Sequence, residues 1–318
     1  SGDIFIVNHD GTVDTIIEIN EKSRGGVSLA DFNNDNIDEI IIATENNDMI
    51  CKVDFLGNID TLLVAEDNFK VSTSILDIDG EKTIMAGSHD NIFYAIDDQG
   101  AIIFTVETGD EINSSAAFLE DSSGIFVFFG SDDGFLYGVS ASGGESLPGW
   151  PINLEGEVGS VSFSDLDGDG ISEIIVGAEN KIHVLYLDGT CFNPSHFPIQ
   201  AQFSITSAPI IADIDNDNDL EIILGSLADL IVVDIMEEGG ISANYWNMDK
   251  GNNRRTGFFE ASSSCGNMQL GDLNCDQNID VFDIILVVNI ILGDIAPNNT
   301  QEWAADYNED QNIDILDI

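Results

Sequence analysis

Basic residues are scarce in this sequence. Lysine and arginine together number 9 among 318 residues, against 59 aspartates and glutamates, which gives a formal net charge of −50. A surface with so much negative charge repels phosphate groups, so the composition argues against a nucleic acid or an anionic membrane as the main partner. The same charge opposes folding by self-repulsion unless salt or bound cations relieve it. We therefore expect the protein to be located outside the cell, in a salty medium.

Long apolar runs and cysteine motifs are also lacking. The most apolar stretch, Ile284 to Leu292, is shorter than the roughly 20 residues that a membrane-spanning helix needs. No secretion signal is present, but the chain starts at Ser1 and reads as a piece of a longer protein, so nothing follows from that absence. The cysteines have neither zinc-like nor redox spacing, which leaves open both a disulfide and free thiols. They are Cys51, Cys191, Cys265 and Cys275.

What the sequence has in abundance is short acidic loops that lead into apolar strands. In the loop from Asp165 to Glu173, oxygen side chains occupy positions 1, 3, 5 and 9, and Ile174-Ile175-Val176-Gly177 follows. Alternate side chains of a tight loop point inward, so these carboxylates repel one another unless a cation lies among them. Calcium fits best, because it takes roughly six to eight oxygen ligands. Gly170 permits the sharp turn. The predicted ligands are Asp165, Asp167, Asp169, the carbonyl of Ile171, and Glu173.

The acidic loop recurs at a regular interval. Complete copies lie at residues 31–39 and 213–221, and shortened copies lie at 77–81 and 120–124. The five copies start at residues 31, 77, 120, 165 and 213, which gives intervals of 46, 43, 45 and 48 residues. A repeat of roughly 40–50 residues built from short strands is typical of a β-propeller blade. In the two further complete copies the predicted ligands are Asp31, Asn33, Asp35, Ile37, Glu39, Asp213, Asp215, Asp217, Asp219 and Glu221.

The segments around these loops are typical of short strands. Two apolar runs flank Asp10-Gly11, which predicts a hairpin within residues 1–24. Continuous β-branched runs such as Ile40-Ile41-Ile42 suit strands that are buried on both faces between neighbouring blades. Trp150 and Phe197, each followed by proline, are interpreted as packing elements between blades rather than as ligand contacts.

The sequence pattern changes after a small polar linker at residues 259–267. Two twelve-residue loops start at residues 272 and 306, which is 34 residues apart, with oxygen side chains at positions 1, 3, 5, 9 and 12. This is the ligand spacing of an EF-hand calcium loop, with aspartate at position 12. An apolar helix is predicted from 282 to 292. The predicted ligands are Asp272, Asn274, Asp276, Asn278, Asp280, Asp283, Asp306, Asn308, Asp310, Asn312, Asp314 and Asp317.

The repeats resemble FG-GAP or VCBS-type propeller repeats, the kind found in integrin α-subunit heads and in many secreted bacterial proteins. The resemblance rests on the three complete loops and the strand-glycine segments that follow them, and it covers about residues 1–258. It implies a mainly β protein, a propeller of about five to seven four-stranded blades that this sequence need not complete. It also implies calcium at the loops and a secreted or cell-surface location in a bacterium.

Residues 268–318 resemble a type I dockerin, a small α-helical module that docks onto cohesin modules of scaffold proteins. The second loop lacks the helix that should follow it, so the module reads as truncated. Gln277 and Gln311 stand at position 6 of the loops in place of glycine. Val281-Phe282 and Ile315-Leu316 fill positions 10 and 11, where cohesin-binding dockerins usually carry small hydroxyl residues. The resemblance implies calcium binding and a cohesin or cell-surface scaffold as partner.

Two classes of function are considered. The first is a non-catalytic, calcium-binding propeller for adhesion to a protein or glycan, with a dockerin-like module for attachment and no membrane insertion. The second is a fragment of a polysaccharide-degrading enzyme, such as a propeller lyase. Such chemistry needs a basic residue or a positioned pair of carboxylates in a cleft. The histidines stand singly and far apart, which favours the first class for this chain. They are His9, His89, His183 and His196.

Overall fold

The computed structural model describes residues 2–121, 124–205, 207–237, 239–243, 245–261, 270–271, 273, 279, 281–292, 304–307 and 313–314. The chain divides into two compact units, Ser1–Ala261 and Ser262–Ile318. The domain limits given above, including the 259–267 linker, stay a prediction. None of the helices in the described part of the chain combines the length and the apolar character that a membrane span requires.

The first unit is built from short strands, which confirms the mainly β class. The strands are β1 (Asp3–Val7), β2 (Val13–Glu18), β3 (Ser28–Ala30), β4 (Glu39–Ala43), β5 (Met49–Val53), β6 (Ile59–Val64), β7 (Ser74–Ile78), β8 (Glu81–Gly87), β9 (Ile92–Ile96), β10 (Ile102–Glu107), β11 (Ala117–Asp121), β12 (Gly124–Gly130), β13 (Phe135–Ser140), β14 (Ile152–Asn153), β15 (Val158–Ser164), β16 (Glu173–Ala178), β17 (Lys181–Leu185), β18 (Ile199–Gln200), β19 (Ile210–Ala212), β20 (Glu221–Gly225), β21 (Leu230–Asp234) and β22 (Phe258–Glu260).

These strands form several small sheets in which neighbours along the chain pair antiparallel. Four-stranded sheets of consecutive strands run from β3 to β6, from β11 to β14 and from β15 to β18. The uniform four-stranded plan predicted from the sequence fails elsewhere. The sheet from β7 to β10 gains β22 as a parallel fifth strand, and β19 to β21 form a sheet of three. The cause is the chain after β21, which supplies β22 to another sheet instead of a fourth strand to its own.

Burial within a sheet depends on the position of the strand. Every residue of β4 and of β16 is buried, whereas the fourth strand β6 contains only exposed and half-buried residues. The second strand of a sheet therefore has apolar neighbours on both faces, as its continuous isoleucine and valine run predicts. Trp150 is buried, packs edge-on against Phe128 at 5.1 Å, and donates from Nε1 to the carbonyl of Leu187 at 2.9 Å. It thus links two consecutive sheets, as the packing interpretation predicts.

Hydrogen bonds from serines connect the first strands of consecutive sheets. Ser74 Oγ donates to the carbonyl of Ala116 at 2.7 Å, and Ser162 Oγ donates to the carbonyl of Pro209 at 2.7 Å. The amide of Ser115 donates to Ser160 Oγ at 3.0 Å. The partners in these three pairs are 42, 47 and 45 residues apart. One repeat in the sequence therefore corresponds to one step from a sheet to its neighbour.

The chain after β21 runs across the first strands of five sheets. We call residues 241–261, of which 244 lies outside the described part, the crossing segment. Its carbonyls accept hydrogen bonds from the amides of Phe163 on β15, Ile211 on β19, Leu29 on β3 and Ile75 on β7, at 2.7–3.0 Å. Its Trp246 ring lies 5.2 Å from Phe118 on β11. The first strands of all five sheets therefore meet one continuous stretch of chain.

The second unit contains the helix α1 (Val281–Leu292), one residue longer at its start than predicted. Leu273, Val287, Ala304 and Ala305 are buried together and form its small core. The amide of Gly271 donates to the carbonyl of Ala304 at 2.9 Å. This contact joins the start of the first acidic loop to the segment before the second.

Candidate metal centres

The loop from Asp165 to Glu173 connects β15 to β16 and wraps around its first residue. Asp165 is 2% exposed, and its Oδ1 accepts the amides of Gly168 at 2.7 Å and Asp169 at 3.1 Å. Its Oδ2 accepts the amide of Gly170 at 2.9 Å. Carboxylate oxygens of Asp165, Asp167 and Glu173 all lie within 4.8 Å of one another. The structure therefore brings three of the predicted ligands together.

The two carboxylate oxygens of Glu173 differ in their hydrogen bonds. Its Oε2 accepts the amide of Leu166 at 2.7 Å, while its Oε1 is buried and has no hydrogen-bond partner in the described part of the chain. Burial raises the pKa of Glu173 to about 8, and the carboxylates of Asp167, Asp165 and Asp169 add to the rise. Burial and the carboxylates of Asp169 and Asp165 also raise the pKa of Asp167. A buried carboxylate oxygen without a donor fits a hard divalent cation such as calcium.

The loop from Asp213 to Glu221 repeats this geometry before β20. Glu221 Oε2 accepts the amide of Ile214 at 2.7 Å, and Asp213 Oδ1 accepts the amide of Asn216 at 2.6 Å. Oxygens of Asp213, Asp215 and Glu221 lie within 4.8 Å of one another. Burial, with the carboxylate of Asp217 next, raises the pKa of Asp215. This loop too gathers predicted ligands around one point.

The loop from Asp31 to Glu39 has the same backbone but a different interior. Glu39 Oε2 accepts the amide of Phe32 at 2.8 Å, and its Oε1 accepts Nδ2 of Asn33 at 2.6 Å. Although burial opposes it, hydrogen bonds from the amides of Asn36 and Asp35 hold the pKa of Asp31 below its usual value. Asparagine in place of aspartate at position 3 therefore gives the closing glutamate a donor within the protein.

Positions 4 and 6 of all three loops adopt the left-handed backbone conformation, which glycine and asparagine tolerate best. At position 7, the side chains of Ile37 and Ile171 point to solvent, with about half of each exposed. The predicted metal ligand at this position is the backbone carbonyl. Ile37 and Ile171 donate their amides to Asp35 and Asp169, both at 2.8 Å. The left-handed residues are Asn34, Asn36, Gly168, Gly170, Asn216 and Asn218.

The first shortened copy, at residues 77–81, is a tight turn rather than a cage, whereas residues 122 and 123 of the second copy lie outside the described part of the chain. In the first, Ile78 pairs with Glu81 across the turn at Asp79-Gly80. Lys82 Nζ lies 2.8 Å from Asp77 Oδ2, and both side chains are nearly buried. An ammonium group of the protein therefore neutralises the position-1 carboxylate in this repeat. Sequence reasoning missed this pair, although a lysine beside a shortened loop, in a chain with so few basic residues, is a signal for it.

Only part of the two dockerin-like loops is described. The amide of Leu273, at position 2, donates to Asp283 Oδ1 at 2.8 Å, and Asp283 is 2% exposed. This repeats the contact between position 2 and the last predicted ligand in the 165–173 and 213–221 loops. Asp306 and Asp314 are also within the described residues. The remaining predicted ligands lie outside them: Asp272, Asn274, Asp276, Asn278, Asp280, Asn308, Asp310, Asn312 and Asp317.

Two cysteines and two histidines lie within the packed sheets, whereas His9 and His196 are exposed. Cys51 and Cys191 are unpaired thiols, whereas Cys265 and Cys275 lie outside the described residues. His89 is buried between two sheets, where its Nε2 lies 2.8 Å from Asn113 Oδ1 and its Nδ1 lies 2.8 Å from Glu111 Oε2. Burial lowers the pKa of His183 to about 4. Both environments suit packing within the sheets.

Comparison with known protein families agrees with both parts of the layout. Residues 165–224, which span two of the complete loops, match the model of the FG-GAP-like repeat. Residues 270–318 match the model of the dockerin type I domain. A comparison with curated proteins gave no match. The chain therefore carries an FG-GAP-like repeat followed by a dockerin type I domain, a module type that binds calcium and docks onto cohesins.

Proposed function

We propose that this chain is a non-catalytic, extracellular binding module in which calcium ions stabilise a propeller of small sheets and a dockerin domain provides attachment. The observation that carries the proposal is the buried, unpartnered Oε1 of Glu173 beside Asp165 and Asp167. A carboxylate oxygen in that position is costly without a cation, and binding to the folded state alone adds to folding stability.

The propeller arrangement has support from the contacts of the first strands. Serine hydrogen bonds step from sheet to sheet at intervals of one repeat, and the crossing segment contacts the first strands of five sheets. Blades around a common axis place their innermost strands next to one another in this way. In this proposal the crossing segment lies along the axis, and the acidic loops lie together at one end of it.

Attachment through the second unit follows from the dockerin match. Dockerin type I domains bind cohesins, and such modules occur in extracellular and cell-surface proteins. A protein or glycan is the proposed ligand of the first unit, because FG-GAP-like repeats and dockerins are non-catalytic modules. An enzymatic domain elsewhere in a longer parent protein is compatible with this proposal.

The metal part of the proposal is tested by thermal unfolding. The full chain is melted at low salt with EDTA, with 1 mM CaCl2, and with NaCl of equal ionic strength. We expect the midpoint to rise with CaCl2 and to change little with NaCl. Equal midpoints in EDTA and CaCl2 contradict the calcium cages.

The binding part is tested separately on the calcium-loaded protein. Surface plasmon resonance against a panel of cohesins measures attachment, and a glycan array measures the first unit. Hydrolysis or eliminative cleavage of pectin-like and other polysaccharides is followed in parallel. Cohesin or glycan binding without cleavage supports a binding module. Cleavage of a polysaccharide that is lost when a residue of this chain is substituted overturns the non-catalytic assignment.

A further inference from the structure

The loop at residues 213–221 carries more carboxylates than one divalent cation neutralises. It contains aspartate at positions 1, 3, 5 and 7 and glutamate at position 9, and Asp234 on β21 pairs directly with that Glu221. The loop at residues 165–173 has four carboxylates, because Ile171 stands at position 7. Among the described residues, no lysine or arginine forms an ion pair with the five carboxylates of the 213–221 loop or with Asp234. One divalent cation therefore leaves a charge of −2 on the four carboxylates of the 165–173 loop and −4 on these six.

The five carboxylates within the loop form two groups that share one member. Oxygens of Asp213, Asp215 and Glu221 lie within 4.8 Å of one another, and so do oxygens of Asp217, Asp219 and Glu221. The first triad corresponds to Asp165, Asp167 and Glu173 in the other loop. The second triad has no counterpart in that loop, because its position 7 is an isoleucine.

The side chain of Asp219 gives a second observation, besides the cluster of carboxylates, that indicates a bound cation. Its side chain is 8% exposed, and its Oδ1 has no hydrogen-bond partner in the described part of the chain. Its nearest carboxylate neighbours add negative charge instead of donors, and Asp234 Oδ1 is already occupied by the amide of Met236 at 3.0 Å. A buried carboxylate oxygen that has no donor and lies beside other carboxylates fits a bound cation.

We propose that the 213–221 loop binds two divalent cations, the second one held by Asp217, Asp219 and Glu221. Glu221 is shared by both triads, and a carboxylate has enough lone pairs to bridge two ions about 3.5–4 Å apart. Two cations bring the six carboxylates to the same residual charge, −2, that one cation leaves in the 165–173 loop. This inference rests on the proposed calcium cages and adds a site of different composition to them.

The number of bound cations in the full chain tests this proposal. Native mass spectrometry in CaCl2 is applied to the wild-type protein, Asp219→Asn, Asp219→Ile and Asp38→Asn. Asp38 is an exposed aspartate at position 8 of the first loop and serves as the matched control. We expect Asp219→Asn to bind one calcium fewer and Asp38→Asn to bind the wild-type number. An unchanged number in both Asp219→Asn and Asp219→Ile overturns the second site, because isoleucine removes the oxygen ligand that asparagine keeps.

Asp213→Asn separates this proposal from the proposed function. If Asp213→Asn loses a cation and neither Asp219→Asn nor Asp219→Ile does, the loop is a single cage and only the second site fails. If all three variants bind the wild-type number of cations, the calcium cage proposed for the 213–221 loop itself fails. Asp219→Ile, which has the residue found at position 7 of the 165–173 loop, removes the oxygen ligand altogether, and its melting midpoint in EDTA, compared with that of the wild-type protein, shows whether any loss comes from misfolding.

Paramagnetic resonance with Mn²⁺ as the probe gives a second readout. Two Mn²⁺ ions that share a carboxylate show an exchange-coupled signal, whereas isolated ions do not. We expect the coupled signal in the wild-type protein and its loss in Asp219→Asn and Asp219→Ile. A coupled signal that survives both substitutions, or that is missing from the Mn²⁺-saturated wild-type protein, overturns the proposal.

Discussion

At the scale of single residues, one contact recurs in every complete loop. The glutamate at position 9 accepts a hydrogen bond from the amide at position 2, at 2.8 Å in the first loop and 2.7 Å in the other two. The second unit uses Asp283 in the same way. This contact closes the loop and turns the other carboxylate oxygen inward. Hydrogen bonds within the chain therefore contribute to the loop geometry.

The pKa of Glu173 predicts how the metal-free protein responds to pH. Burial raises this pKa from 4.5 to about 8 in the folded state, so between these values the folded state holds a proton that the unfolded state has released. Stability contributed by this proton is present at pH 5 and is lost as the pH rises to 8. In EDTA, we expect Glu173→Gln to lose less stability over this range than the wild-type protein, as measured by thermal melts. The exposed control Glu237→Gln should follow the wild-type protein; parallel wild-type and Glu173→Gln profiles contradict the assignment.

The second prediction at the scale of residues concerns the stability of a variant at Lys82. Replacing it with methionine leaves Asp77 nearly buried without its counter-ion, and breaking a buried pair in this way costs about 3–5 kcal/mol. Urea unfolding of Lys82→Met should show this loss with and without calcium. The double variant Lys82→Met, Asp77→Asn should recover most of it. A loss below about 1 kcal/mol, within the range of a surface pair, argues against the role proposed for this lysine.

At the scale of elements, the crossing segment joins sheets that are far apart in sequence. Trp246 is 3% exposed, and its carbonyl accepts the amide of Phe163 while its ring packs against Phe118. We expect Trp246→Ala to destabilise the first unit by about 3–5 kcal/mol, because it removes a large buried ring. Urea unfolding measures the change. Leu56→Ala, at a side chain 87% exposed, is the control and should stay within about 0.5 kcal/mol. Similar effects of the two substitutions contradict the importance of the segment.

At the scale of the whole molecule, the net charge of −50 sets the response to salt. Raising NaCl from 0.01 to 0.1 M shortens the Debye length from about 30 Å to about 10 Å and weakens self-repulsion. In EDTA we therefore expect the melting midpoint to rise with NaCl. In saturating calcium the rise should be smaller, because the densest carboxylate groups are already neutralised. Equal salt dependence in both conditions would argue against ion binding at the loops.

The sequence by itself determined the features that are local or periodic. Local spacing of residue types predicted the short strands, the helix, and the loops at 165–173 and 213–221. Side chains alternate along a strand, and the spacing of the acidic residues in a loop can be read from the sequence. The repeat interval also anticipated the step from sheet to sheet that Ser74 and Ser162 mark.

Only the tertiary structure decided the features that depend on distant partners. The pairing of β22 with β7 and the route of residues 241–261 join segments whose contact no local pattern encodes. The arrangement of the five loop carboxylates in two triads that share Glu221 is likewise set by how the loop folds. The physical reason is that periodicity fixes which face of a strand is buried, whereas its neighbour is chosen by packing across the whole unit.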